Sequence, residues 1–292
     1  MNWKLKAALQ KTISHLPYSG QLNYVLQRYV TKGYPAPESI FNKKIANANK
    51  HLHAYNTFSR ETAPDDTFYE FGAGWDILIP LIYSSKGVRK QILVDINDLL
   101  KIDLVQANIS RLISKGFPFE NISASNKEDL LKNLRINFLA PHDARSTGFP
   151  SDSIQFISNT DTLEHIQKDD IFLIMKECYR ILAPGKTVSC VIDLRDHYTY
   201  FDNTVSAYNF LTFSEKEWRP YNNYLHYQNR LRYSDYKKIF EDCGFEIVFE
   251  ECESPTPSEL ETLKSLPLSY DFAGKDLKEL GIKEIWMILR KK

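Results

Sequence analysis

Between Phe68 and Pro80 the chain reads Phe-Tyr-Glu-Phe-Gly-Ala-Gly-Trp-Asp-Ile-Leu-Ile-Pro, and this stretch decides the fold. A short apolar run leads through Glu70 to Phe71. Gly72 and Gly74 follow, and an apolar helical pattern then resumes. Glycine has no Cβ, so such a turn lets bare backbone approach a ligand. Downstream, a second apolar run, Gln91-Ile-Leu-Val, ends at Asp95. A glycine turn after one strand and an acid at the tip of the next are how a parallel α/β sheet holds an adenosine-type ribose.

On either side of this stretch the pattern differs. Residues 1–60 show no strand alternation. Leu22, Val25, Leu26 and Tyr29 recur at helical spacing, as do Ile40, Ile45 and Ala46, then Leu52 and Tyr55. Pro35 and Pro37 separate the two helical parts. This predicts an N-terminal helical cap over residues 1–60. A cap of this kind closes a ligand cleft; contact between two copies of the chain, as in a homodimer, is its other use.

From residue 61 onward β-rich runs alternate with helices. Strands are expected at Phe68–Phe71, Ile92–Val94, Ile136–Leu139, Ile154–Ile157 and Thr187–Ile192, with a helix over Asp169–Leu182. Such alternation implies βαβ crossovers and a mostly parallel sheet. After Leu194 comes a long irregular segment rich in Tyr, Asn, Phe and His, read as a substrate-side insertion over residues 195–232. A helix over Tyr233–Cys243 and closing strands at Phe245–Phe249 and Glu284–Leu289 complete the chain, with a Pro/Ser loop at Glu253–Ser258.

Composition narrows the function classes. In 292 residues, 37 basic and 37 acidic side chains cancel, so the basic excess of a general nucleic-acid binder is missing. The four cysteines (Cys178, Cys190, Cys243 and Cys252) have no CxxC spacing and read as reduced thiols, which favours a cytoplasmic setting. No apolar stretch approaches the ~20 residues that span a bilayer, and no signal peptide pattern opens the chain.

With the elements in place, the chain resembles the class I S-adenosylmethionine-dependent methyltransferases, of the type 11-like kind, from Thr67 onward. Five segments carry the resemblance in order. They are Glu70-Phe-Gly-Ala-Gly, Val94-Asp95-Ile96, His142-Asp143-Ala144-Arg145, Asn159-Thr-Asp-Thr-Leu-Glu164-His165, and Tyr179-Arg-Ile-Leu-Ala-Pro-Gly185. Where many members carry a third glycine this chain has Asp76, which can cap a helix instead. The resemblance implies a Rossmann-like α/β fold. Its seven-stranded, mostly parallel sheet would have a C-terminal antiparallel strand. S-adenosyl-L-methionine would be the cofactor.

The resemblance also implies roles. Glu70, Phe71, Gly72, Ala73 and Gly74 would form the turn against the methionine part of the cofactor. Asp95 would take both ribose hydroxyls, Ile96 would pack on the adenine, and Asp143 with the Ala144 N–H would read the adenine edge. Asn159 would border the sulfonium. Each has a plainer reading: a tight βα turn for the glycines, a helix cap for Asp95, a turn aspartate for Asp143, and a packing role for Asn159. Glu164-His165 reads as helix-start packing and capping.

On the acceptor side, a hydroxyl nucleophile needs a base. His197 and His226 are the candidates, because histidine titrates near neutrality and Asp193 or Asp196 stands close in sequence. Structural hydrogen bonding is the other reading of both. Tyr208, Trp218 and Arg230 are candidate substrate contacts, with packing or a salt bridge as their alternatives. No metal site is expected, since no carboxylate set emerges and His51-x-His53 lacks partners at ligand spacing. The expected activity is methyl transfer to a small molecule, most simply to a hydroxyl, without nucleic-acid or membrane-spanning partners. The competing readings are an NAD(P)-dependent oxidoreductase, which would need glycine where Ile77 stands, and a non-catalytic nucleoside-fold protein.

Overall fold

The computed structural model describes residues 2–30, 33–119 and 126–292. Seven strands form one sheet: β1 (Thr67–Phe71), β2 (Lys90–Val94), β3 (Ile136–Leu139), β4 (Ile154–Thr160), β5 (Leu182–Asp193), β6 (Glu246–Cys252) and β7 (Glu284–Arg290). Their order is β3-β2-β1-β4-β5-β7-β6, with β7 antiparallel to both neighbours and the other pairings parallel. The strand order reverses between β1 and β4. Connections there leave in opposite directions, which opens a crevice at the carboxyl ends of these strands.

The helices are α1 (Trp3–Ser14), α2 (Ser19–Val25), α3 (Glu38–Phe58), α4 (Leu78–Ser85), α5 (Ile102–Ser114), α6 (Lys127–Asn133) and α7 (Lys168–Ile181). After the fifth strand come α8 (Glu215–Trp218), α9 (Tyr233–Asp242), α10 (Pro257–Ser265) and α11 (Leu277–Leu280). Both sheet faces are covered, so successive strand residues serve opposite layers. Phe68, Val191, Trp286 and Ile288 pack against α3, α4 and α5. Tyr69, Phe71, Cys190, Ile192 and Met287 pack against α7 and α9. None of the helices among the described residues is long and apolar enough to cross a membrane.

The expected N-terminal cap divides in two. α3 belongs to the sheet's own helical layer, burying Phe41, Ala48, Ala54 and Tyr55 beside β1 and α4. A boundary at residue 60 would therefore separate α3 from the surface it covers. α1 instead seats Trp3 and Ala7 in a third cluster with Tyr198, Phe210, Trp218 and Leu280. Asn2 caps that helix, its side chain accepting the Lys4 and Leu5 N–H groups, and Asp202 accepts the Trp3 N–H at 2.9 Å. The α2 region reaches the glycine turn, where Tyr24 stacks on Trp75 with ring centroids 4.7 Å apart.

The expected Pro/Ser loop after β6 holds the helix α10. Thr256 and Glu259 form a reciprocal capping box with Pro257 in the first turn.

Candidate active site

The crevice begins where β1 ends. Gly72 and Gly74 both have left-handed backbones, with φ of 74° and 69°. The Gly72 N–H donates to the Val94 carbonyl at 2.9 Å, which fastens the turn to β2. A Cβ on Gly72 would lie 2.3 Å from Thr162 Cγ2, so no larger residue fits without displacing the segment after β4. Asp95 closes the other side. Its carboxylate accepts the Gly74 N–H and the Asn97 N–H, each at 2.9 Å. Burial raises the Asp95 pKa, and these two backbone donors act against the rise. A carboxylate has about four lone-pair sites, so Asp95 keeps acceptor capacity toward the cleft that it lines.

One cleft of about 870 Å³ runs from this turn to the insertion. Phe71, Gly72, Asp95, Ile96, Asp143 and Ala144 line one half, and Thr162, His165, Gln167, Asn222, Tyr224 and Tyr227 line the other. Ile96 is 59% exposed, an apolar platform that no protein group covers. Asp143 faces the cleft already paired with Arg145 at 2.7 Å, and Arg145 reaches on to Asp170. That ion pair holds the Asp143 carboxyl below its ordinary range.

Three expected cofactor residues sit behind the wall. Parallel register places Ser158 beside Glu70, and its hydroxyl donates to Glu70 at 3.0 Å. Burial pushes the Glu70 carboxyl up to about 7. Ala73 packs into the core. Asn159 is fully buried within β4; its Nδ2 reaches the Phe71 carbonyl at 3.5 Å, and its Oδ1 has no hydrogen-bond partner among the described residues. Asp76 does sit at the start of α4, held by Lys44 at 3.0 Å, and Ile77 takes the capping position itself.

The expected substrate residues lie elsewhere than the cleft wall. Tyr208 is buried and donates from its hydroxyl to the Gly281 carbonyl at 3.1 Å. Trp218 is sealed in the aromatic cluster around Trp3. Arg230 binds the carbonyls of Phe210 and Phe213 and the Glu215 carboxylate, so it staples the insertion together. The cleft is instead faced by Glu215, Arg219, Asn222, Tyr224 and Tyr227.

The histidines form a row leading away from the cleft. Of His165, His197 and His226, His165, on the short turn after β4, lines the cleft wall. The His197 ring lies 4.9 Å behind it and His226 a further 6.3 Å behind that, centroid to centroid. His197 Nε2 and His226 Nε2 have no hydrogen-bond partner among the described residues. Burial holds both imidazoles well below their usual pKa, with the neighbouring charges adding to the effect. Glu164 is 1% exposed and neither of its carboxylate oxygens has a hydrogen-bond partner among the described residues. Burial raises its pKa, and Asp161 and Asp193 raise it further. Sequence reading took Glu164-His165 for packing and capping. The structure makes one a cleft residue and the other a buried, unpaired acid.

The insertion is anchored to this turn. The Asn229 N–H donates to the Glu164 carbonyl at 2.7 Å, and Asn229 Nδ2 donates to the Leu163 and Ile166 carbonyls at 2.8 Å. Its residues therefore hold the cleft wall in place from behind.

A methyltransferase domain family matches residues 41–250, which is most of the chain. The chain belongs to that family, and its sheet order and glycine–acid turn are those of the class I S-adenosylmethionine-dependent methyltransferases. No curated protein matches the sequence.

Among solved structures, the fold is similar to the YcgJ protein from Bacillus subtilis, at 16% identity over 83% of this chain and 99% of that one (TM-score 0.45). It is similar to geranyl diphosphate C-methyltransferase from Streptomyces coelicolor A3(2), at 11% identity over 89% and 86% (TM-score 0.47). It is also similar to a phosphoethanolamine N-methyltransferase from Haemonchus contortus, at 14% identity over 97% and 60% (TM-score 0.49).

Proposed function

We propose that the protein transfers a methyl group from S-adenosylmethionine to an oxygen of a small-molecule acceptor. The observation that carries this reading is the single cleft of about 870 Å³ joining the Gly72–Asp95 turn to the His165–Tyr227 wall. Pockets for one small ligand span roughly 300–1,000 Å³, and this cleft lies near the top of that range.

The donor half fits the cofactor. Asp95 offers its remaining lone pairs to two sugar hydroxyls, Ile96 a face for a base, and Gly72 an approach that no side chain blocks. Asp143 serves the base edge only if its pairing with Arg145 is shared or opened.

When bound, the cofactor supplies the activated methyl group and its own leaving group. What remains for the chain is orientation and proton handling. A hydroxyl acceptor must give up a proton as its oxygen attacks carbon. His165 on the wall of the acceptor half, with His197 behind it, is a group able to take that proton, and this favours oxygen over carbon. His226 stands too far back to meet the acceptor and supports the position of His197.

Calorimetry with S-adenosylmethionine and its demethylated product tests the donor half directly. Binding of either, followed by transfer of labelled methyl to alcohol and phenol acceptors, is the expected result. Absence of binding by both ends the reading, and exclusive labelling of amines ends the oxygen assignment.

A further inference from the structure

We propose that Glu164, His165 and His197 form a binding site for a divalent first-row transition ion at the acceptor end of the cleft. One ligand atom from each of the three lies within 4.8 Å of the others. Two imidazoles and one carboxylate suit such an ion, and sites of this composition leave positions open for further ligands.

Independent features point the same way. The Glu164 carboxylate is 99% buried, taking its 1% exposure, and neither oxygen has a hydrogen-bond partner among the described residues. A buried carboxylate that no cation balances is costly, and no Lys or Arg pairs with it among the described residues. Lys43 pairs with Glu284 at 2.8 Å and Arg195 with Asp193 and Glu253, so these cations are engaged with other carboxylates. His197 Nε2 likewise has no hydrogen-bond partner among the described residues.

His165 has the arrangement that supports a ligand imidazole. Its Nδ1 lies 2.7 Å from the Tyr227 carbonyl, which accepts only an N–H. The proton is thereby placed on Nδ1, and Nε2 keeps its lone pair. Asp193, 3.7 Å from His197 Nε2, is already held by Tyr200 and Arg195 and so stands outside the ligand set.

Bonds of about 2.1 Å from nitrogen or oxygen to such an ion set ligand atoms roughly 3.0–3.4 Å apart. The site must therefore contract somewhat on binding. Glu164 and His165 sit on the turn that Asn229 holds, so the contraction falls to side-chain rotation. An ion there, at the cleft wall, has open positions facing the acceptor. Resting on the oxygen reading above, its role is to take the acceptor's oxygen and ease loss of its proton. The atoms balance as in any methyl transfer. The O–C bond forms as the S–C bond breaks, the sulfonium becomes a neutral thioether, and the proton leaves to solvent.

The test uses untagged full-length protein, stripped with chelator and titrated with MnCl2 and separately with ZnCl2. One equivalent of ion per chain is expected. Binding should weaken at least tenfold in Glu164→Gln and in His165→Ala. The first keeps the buried shape and the second changes a cleft residue, and S-adenosylmethionine calorimetry on both reports that the fold is intact. No stoichiometric binding of either ion to the wild type overturns the proposal, as does wild-type ion affinity in both variants. Lost ion binding with donor binding intact in the wild type defeats this site alone. Lost donor binding with ion binding intact defeats the methyltransferase reading and leaves the ion site standing.

Discussion

Replacing Gly72 by alanine puts a methyl group where Thr162 already is. The new Cβ would lie 2.3 Å from Thr162 Cγ2 and 2.9 Å from Oγ1 on a backbone with φ of 74°. The left-handed conformation costs a non-glycine residue about 1–2 kcal/mol. Overpacking of this severity adds about 1–3 kcal/mol. Gly72→Ala should therefore lose roughly 2–5 kcal/mol of stability. Gly74→Ala is the control: its φ is 69° but its nearest neighbour is 4.0 Å away, so strain alone applies. It should lose only about 1–2 kcal/mol. Thr162→Ala removes both offending atoms, and the Gly72→Ala/Thr162→Ala pair should recover about 1–3 kcal/mol as coupling in a double-mutant cycle. Urea unfolding of the wild type and the four variants measures all these values. Donor calorimetry should show weaker binding in Gly72→Ala, since Thr162 lines the cleft. Equal losses for Gly72→Ala and Gly74→Ala, or a coupling near zero, would show that the turn does not depend on close approach to Thr162.

Asp95→Asn keeps one acceptor for the Gly74 and Asn97 amides but removes the charge; donor affinity should fall ten- to a hundredfold by calorimetry, about 1.5–3 kcal/mol for charge-assisted bonds. Trp218→Ala should destabilise by about 3–5 kcal/mol in chemical unfolding. Because the ring is sealed away from the cleft, Trp218→Phe should leave the acceptor KM unchanged. Glu177 has its pKa pulled from 4.5 to about 2, first by the hydrogen bond from Arg180 and then by those from Thr147. A depressed carboxyl adds stability above its unfolded pKa and loses it as pH falls through the folded value. Thermal unfolding between pH 4.5 and pH 2 should thus decline less steeply in Glu177→Gln, which starts from lower stability at neutral pH.

The donor half of the site was legible because its signals are local. Glycine marks the left-handed turn, an apolar run of strand length precedes it, and Asp95 ends the next run. Register, burial and the Gly74–Asp95 bond then follow from a parallel sheet. The acceptor half was not legible, because its residues meet only through tertiary contacts. Tyr208, Trp218 and Arg230 have the composition of a binding wall and serve as packing, a distinction that depends on Trp3 and Asp271 far away in sequence. His165 lies on a three-residue turn, too short for any periodicity to flag, and Glu164 stands out only because its buried carboxylate has no side-chain partner among the described residues. α10 was legible and missed: Thr256-Pro-Ser-Glu259 is a capping box with proline in its first turn. α3 was found as a helix, but which surface it covers is not written in its spacing.

The antiparallel strand β7 lies between β5 and β6, although it follows both in the chain. Until it is in place, β5 presents a long bare edge and β6 has no partner within the sheet. An emerging chain on the ribosome must carry that open edge through synthesis of α9, β6, α10 and α11. Such an edge recruits foreign strands. A nascent or clipped chain lacking this one strand is accordingly the form in which the protein most needs a chaperone.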